Sequence, residues 1–252
     1  MRYFICLSYN GTRYHGWQVQ ENAPTVQGEL HRALGIVLGE PTATVGAGRT
    51  DAGVHARRYV AHFDSGQTER LADRENIVYR LNGVLPSDIC IHGVYPMHDA
   101  AHARFDATER TYKYYIHTEL DPFLLEVSAY IPYTPDVNAM NEACKILLTY
   151  EDFTSFAKLH SDNKTNLCTL TQAKWEIAGN RLVFTISANR FLRNMVRAIV
   201  GVLLEVGRGK YTTDNFVNLI EMRKPGAGGI SSPARGLFLE EIRYPYSWLP
   251  AN

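Results

Sequence analysis

The residues best equipped for chemistry lie in one short run, Gly46-Ala47-Gly48-Arg49-Thr50-Asp51-Ala52-Gly53-Val54-His55-Ala56. Three glycines in eight residues let the backbone turn sharply and approach a partner closely. Between them stand a cation, a hydroxyl, a carboxylate and an imidazole. That density of polar groups on a turn points to a site rather than to a solvated loop. The run is not a nucleotide-binding Walker loop, because the Gly-Lys-Ser/Thr ending is missing. Asp51 and His55 stand four residues apart, which admits an acid/base pair and, with it, a hydrolase of small substrates.

Three further segments carry reactive or binding groups. Tyr9-Asn10-Gly11-Thr12-Arg13-Tyr14-His15-Gly16-Trp17 places aromatics in a loop, where they either stack on bases or pack against the domain edge. Arg104 to Tyr114 ends in a tyrosine-rich strand, with Arg110, Tyr112 and Tyr114 at one parity and so on one face. An aromatic flanked by cations suits a flipped base and its phosphates. Asn189 to Gly201 carries Arg193 and Arg197, which on one continuous helix would lie above one another. Arg197 stands in an apolar run and must reach solvent or find an anionic partner.

The elements that must position these groups follow from periodicity. Residues 2–9 alternate as a strand. Thr25 caps a helix whose apolar face is Val26, Leu30, Ala33, Leu34, Val37 and Leu38, closed by Gly39. Val60–Phe63 reads as a strand, Ile77–Leu85 as a helix stopped by Pro86, and Ile89–Tyr95 as a strand. Thr111–His117 is a strand and Val137–Leu148 a helix. Thr171–Ile177 and Leu182–Ser187 flank Gly179-Asn180 as a hairpin. Helices follow from Phe191 to Val206 and from about Thr213, and Leu237–Arg243 is a last strand. Two α+β halves with mainly antiparallel sheets emerge. The boundary near residues 100–108 gives domains 1–104 and 105–252. The sequence offers no account of the segment His160–Asn166.

Composition bounds the class. The 252 residues carry 26 basic and 26 acidic side chains, so net charge is zero and no global basic signal points to nucleic acid. Locally, residues 190–224 hold seven Lys/Arg against three Asp/Glu, a basic excess that the total conceals. Cys6, Cys90, Cys144 and Cys168 form no Cys-x-x-Cys pair and read as reduced, mostly buried thiols of a cytoplasmic protein. No signal peptide opens the chain, and the most apolar stretch is too short and too polar for a membrane span. His98 and His102 lack further partners for a metal.

The four segments together resemble the signature blocks of the TruA-type tRNA pseudouridine synthase family. The family pattern Tyr-Asp-Gly-Thr-x-Tyr-x-Gly-Trp-Gln-x-Gln is matched from Tyr9, with Asn10 in place of the aspartate. Thr-Val-Gln-Gly-Glu-Leu is matched at Thr25–Leu30, and Gly-Arg-Thr-Asp-Ala-Gly-Val-His-Ala at Gly48–Ala56. The Arg110–Tyr114 strand and Phe191–Gly201 match further blocks, although Arg193-Asn194 stands where the family often has Tyr-His. Ser232–Phe238 is a loose version of a C-terminal Ala-Pro-x-x-Gly-Leu-Tyr pattern.

The resemblance implies an isomerase that converts uridine to pseudouridine at nucleotides 38, 39 and 40 of the tRNA anticodon arm. It implies no metal and no organic cofactor, a homodimer with tRNA spanning both subunits, and two α+β domains forming a central sheet with the active-site cleft between them. Asp51 matches the essential aspartate. Arg197 matches the arginine that pairs with it and favours its charged form. Tyr112 matches the tyrosine that stacks on the target base, and Arg49 the arginine that takes the place of the flipped nucleotide. Arg110 and Arg193 are expected among the RNA contacts. The competing readings are a non-catalytic tRNA-binding or folding protein on the same scaffold, and the Asp51/His55 hydrolase.

Overall fold

A computed structural model describes residues 1–159, 164–229 and 231–246; of the unassigned segment His160–Asn166, residues 160–163 lie outside the described ones. The fold is mixed α/β with mostly antiparallel strands, divided into two compact units. One unit comprises Met1–Thr108 and the chain from Leu239 onward, the other Glu109–Phe238. The last strand thus rejoins the first unit, where the sequence suggests one continuous second domain from residue 105. Hydrophobic periodicity marks that strand but carries no record of which unit it pairs with.

The first unit contains β1 (Arg2–Tyr9), α1 (Val26–Leu38), β2 (Thr44–Gly46), β3 (His55–Asp64), α2 (Thr68–Ala72), α3 (Arg74–Val84) and β4 (Ile89–Met97). β1 lies between β4 and β3, antiparallel to both, and β2 pairs antiparallel with Ala61–Phe63 of β3. α1 forms because its apolar face repeats at helical spacing. The Thr25 hydroxyl accepts from the Gly28 amide, and Gly39 closes the helix in the left-handed conformation. The sequence reading misses β2 and α2. β2 has three residues and exists through pairing with β3; α2 has five and no side-chain cap.

The second unit contains β5 (Glu109–His117), β6 (Ala129–Tyr130), α4 (Val137–Leu147), β7 (Leu170–Ala178), β8 (Arg181–Ala188), α5 (Met195–Gly207) and α6 (Thr213–Glu221). The hairpin turns at Gly179-Asn180 as expected. β8 lies antiparallel between β5 and β7, and the two-residue β6 runs parallel to β5. Trp175 and Phe184 stack across the hairpin with ring centroids 5.0 Å apart, both fully buried. β9 (Leu237–Arg243) closes the element list, and from Leu239 it takes its place beside β3 in the first unit.

One sequence expectation fails here with consequences for the site. The helix expected from Phe191 begins only at Met195, because Asn194 adopts a left-handed conformation at φ 65°, which asparagine tolerates better than most residues. Arg193 therefore lies outside α5, and the expected stacking of Arg193 over Arg197 on a single helix does not occur.

The thiols are as expected with one exception. Cys6, Cys144 and Cys168 are buried, and burial pushes the first two up to about 12 and the third to about 11, which keeps them inert. Cys90 is exposed. Among the described residues, no helix is long and apolar enough to cross a membrane, and no three His, Cys, Asp or Glu side chains gather as a metal site.

A buried histidine gives the first unit an acid sensitivity. His62 is 4% exposed and its Nδ1 accepts the Ala103 amide at 3.1 Å. Burial, and then the positive charges of Arg2 and His102, lower it from 6.5 to about 4, against the opposing pull of Asp64 and Asp106. The unfolded chain binds this proton below pH 6.5 and the folded chain only near pH 4. Stability is therefore full above pH 6.5 and falls as pH drops toward 4. Urea unfolding across that window should show the loss, and His62→Asn should reduce its slope.

Candidate active site

In the first unit, the run from Gly46 to Ala56 is the connection from β2 into β3, and the Tyr9–Trp17 segment forms its floor. The chain passes so close that two glycines of that floor are obligatory. A Cβ at Gly11 would lie 2.0 Å from the Val54 carbonyl oxygen. One at Gly16, whose φ is +91°, would lie 2.3 Å from that of Thr50. Main-chain bonds fasten the two segments: the Trp17 amide donates to the Thr50 carbonyl at 3.3 Å and the Gly53 amide to that of Tyr14 at 3.3 Å. Within the loop, the Val54 amide donates to the Asp51 carbonyl at 3.1 Å. Both peptide groups flanking Asp51 are thereby fixed, and its side chain is half-buried on a rigid turn.

The aromatics of the floor resolve one open choice. Tyr9, Tyr14 and Trp17 are all buried, so they pack rather than stack on bases. Trp17 lies on Tyr59 with centroids 4.0 Å apart and planes at 28°, and Tyr9 leans on both rings. The Tyr9 hydroxyl bonds Thr50 Oγ1 at 2.9 Å, and the Tyr59 hydroxyl donates to the Gly48 carbonyl. Asn10, the departure from the family's aspartate, performs a cap of its own: its Oδ1 accepts from the Thr12 amide at 3.0 Å, as a carboxylate would.

His55 is an anchor. It is 1% exposed and its Nδ1 accepts the Gly11 amide at 3.0 Å, so that nitrogen carries no proton. An acid/base pairing of Asp51 with His55 through Nδ1 is incompatible with this bond. Arg49, by contrast, is exposed at the rim of the turn.

In the second unit, Tyr112 and Tyr114 share a face of β5 but not a role. Tyr114 is fully buried and its hydroxyl donates to the Pro233 carbonyl at 2.8 Å. Burial raises it far above the ordinary tyrosine range. Tyr112 is half-buried, with the Phe191 ring edge-on at 5.2 Å. One of the two rings is therefore core and the other retains surface that a planar group could meet. Arg110 donates to the Asn189 carbonyl at 2.8 Å, which ties the start of β5 to the segment leading into α5.

Arg197 lies in the first turn of α5, half-buried among apolar neighbours. Its Nε donates to the Ser232 carbonyl at 2.7 Å, while its own carbonyl accepts the Ser232 amide at 3.1 Å. This reciprocal clamp fixes the plane of the guanidinium. The sequence places Ser232 in a family-like block but does not link it to Arg197, because it acts through its backbone, which leaves no trace in residue type. Asn194 Nδ2 bonds Ser231 Oγ at 2.5 Å and secures the same strap. Arg193 is exposed on the approach to α5.

Comparison with known proteins identifies the class of protein, an isomerase of tRNA uridines. A family model described as tRNA pseudouridine synthase matches residues 143–245. A protein of Parabacteroides distasonis called tRNA pseudouridine synthase A is 52% identical over 251 residues, covering 100% of this chain and 99% of its own. Proteins of the same name from Bacteroides thetaiotaomicron and Aliivibrio fischeri are 50% and 39% identical, covering 97% and 98% of this chain and 91% and 94% of theirs. The chain belongs to the tRNA pseudouridine synthase A, or TruA-type, family.

Proposed function

We propose that the protein isomerises uridine to pseudouridine at nucleotides 38, 39 and 40 of the tRNA anticodon stem-loop. Family membership makes it an isomerase of tRNA uridines; the positions and the residue roles are our reading. The observation that carries it is the end-to-end match with relatives named tRNA pseudouridine synthase A.

The reaction breaks the bond from N1 to C1′, turns the base, and joins C5 to C1′. The hydrogen at C5 leaves as a proton and N1 gains one, so nothing is oxidised or reduced and no cofactor is required. The target must leave the base stack before its glycosidic bond is accessible. In this reading Arg49 fills the place it vacates, and Tyr112 stacks on the flipped base and assists loss of the C5 proton. Asp51 faces C1′. Attack on C1′ and assistance to the departing base both require its ionised form, which Arg197 favours as the paired cation.

In this reading the first unit supplies Asp51 and Arg49 and the second supplies Tyr112 and Arg197. Arg110 and Arg193 contribute to the phosphate contacts. The enzyme acts in the cytoplasm as a homodimer with the tRNA spanning both subunits.

Tritium release tests the reaction. Transcribed tRNA carrying tritium at C5 of its uridines should release label to water, and cytidine at nucleotides 38, 39 and 40 should abolish that release. Tight tRNA binding with no release would instead identify a binding or folding protein.

A further inference from the structure

The three aromatic rings beneath the Gly48–Asp51 turn end in two hydroxyls, and each hydroxyl bonds a different residue of the turn. The Tyr59 hydroxyl donates to the Gly48 carbonyl and lies 3.4 Å from the Gly48 amide. The Gly48 carbonyl belongs to the peptide group whose nitrogen is that of Arg49, so Tyr59 sets the plane from which the Arg49 side chain departs. The Tyr9 hydroxyl bonds Thr50 Oγ1 at 2.9 Å, and Thr50 is itself only 8% exposed. The Thr50 carbonyl, held by the Trp17 amide, belongs to the peptide group whose nitrogen is that of Asp51. Tyr9 therefore fixes Thr50, the residue immediately before the one that carries the carboxylate.

The fold brings these two phenols together by a specific device. β1 and β3 pair in register as far as Leu7 opposite Tyr59. The register then shifts, so that Tyr9 faces Ala56 and β3 holds one extra residue. The bulge keeps Tyr9 and Tyr59 in contact, with centroids 5.7 Å apart, while the chain above them turns into the loop.

We propose that Tyr9 and Tyr59 are positioning residues with separate duties, Tyr9 holding the catalytic carboxylate through Thr50 and Tyr59 holding the RNA-contacting Arg49 through Gly48. The proposal rests on the assignment of Asp51 to chemistry and Arg49 to RNA. A reacting group displaced by about 1 Å loses up to about a hundredfold in rate, so a single lost tether is large enough to read.

The test measures single-turnover pseudouridine formation at saturating tRNA, and tRNA affinity separately. Tyr9→Phe keeps the ring in the stack and removes only the hydroxyl. It should lower the rate about tenfold with little change in affinity. Thr50→Val removes the same bond from its other end and should do likewise, whereas Thr50→Ser should retain the wild-type rate. Combining Tyr9→Phe with Thr50→Val should cost no more than either alone, because both delete one interaction. Tyr59→Phe should weaken tRNA binding about tenfold and affect the rate less. Asp51→Asn runs alongside as the control. If it is inactive while Tyr9→Phe and Tyr59→Phe shift rate and affinity in the same proportion, or shift neither, the division of duties is wrong and the role of Asp51 stands. An active Asp51→Asn would bring down the role of Asp51, and the proposal with it.

Discussion

Asp51→Asn is expected to reduce pseudouridine formation by about a thousandfold or more, a loss of the size seen when one catalytic group is removed from an intact site. The substitution is nearly isosteric. Two main-chain bonds that hold this position, from the Trp17 amide to the Thr50 carbonyl and from the Val54 amide to the Asp51 carbonyl, survive it. Stability should stay within about 1 kcal/mol of wild type, as for a change that breaks no packing. Tight tRNA binding should persist, because the side chains proposed to contact phosphate are untouched. A rate loss accompanied by an unfolding shift of several kcal/mol would mean that Asp51 holds the loop together rather than acting on the substrate.

Trp17→Ala is expected to have the largest effect on stability, about 3–5 kcal/mol, through the cavity left by a large aromatic side chain. Trp17 is 1% exposed, stacks face to face on Tyr59 and leans on Tyr9. It therefore supports both phenols that grip the loop. Activity should fall further than instability alone accounts for, because the surviving folded molecules have lost the floor beneath Gly48–Asp51. Urea unfolding gives the first quantity, and single-turnover rates scaled to the folded fraction give the second. An unfolding change below about 1 kcal/mol would show that the stack contributes little, since surface substitutions already reach half that.

Most of what local rules govern was legible before the structure. α1 was readable from Thr25 to Gly39 because cap, apolar stripe and stop all lie in consecutive residues. The β7–β8 hairpin was readable because Gly179-Asn180 encodes its own turn. What escaped was whatever depends on distant residues. β2 and β6 are too short to show a period and form only against β3 and β5. The start of α5 was misplaced because one left-handed asparagine overrides a run of good helix formers.

The candidate site divides the same way. The Gly48–Ala56 motif pointed to Asp51 and Arg49 directly. The decision between base-stacking and packing for Tyr9, Tyr14 and Trp17 required burial, which residue type does not contain. The resemblance already favours Arg197 over His55 as the partner of Asp51, and the Gly11 amide on the imidazole Nδ1 shows what His55 holds instead. The clamp of Arg197 on Ser232 runs through a carbonyl and an amide, and no side-chain pattern announces it.

The most direct test of the central claim is nucleotide-by-nucleotide mapping of pseudouridine in an unmodified tRNA transcript that carries uridine at positions 38, 39 and 40, after incubation with the wild-type protein. The expected result is pseudouridine at those three positions, with uridines elsewhere in the transcript unchanged. An anticodon arm left unmodified by active, folded protein would contradict the account.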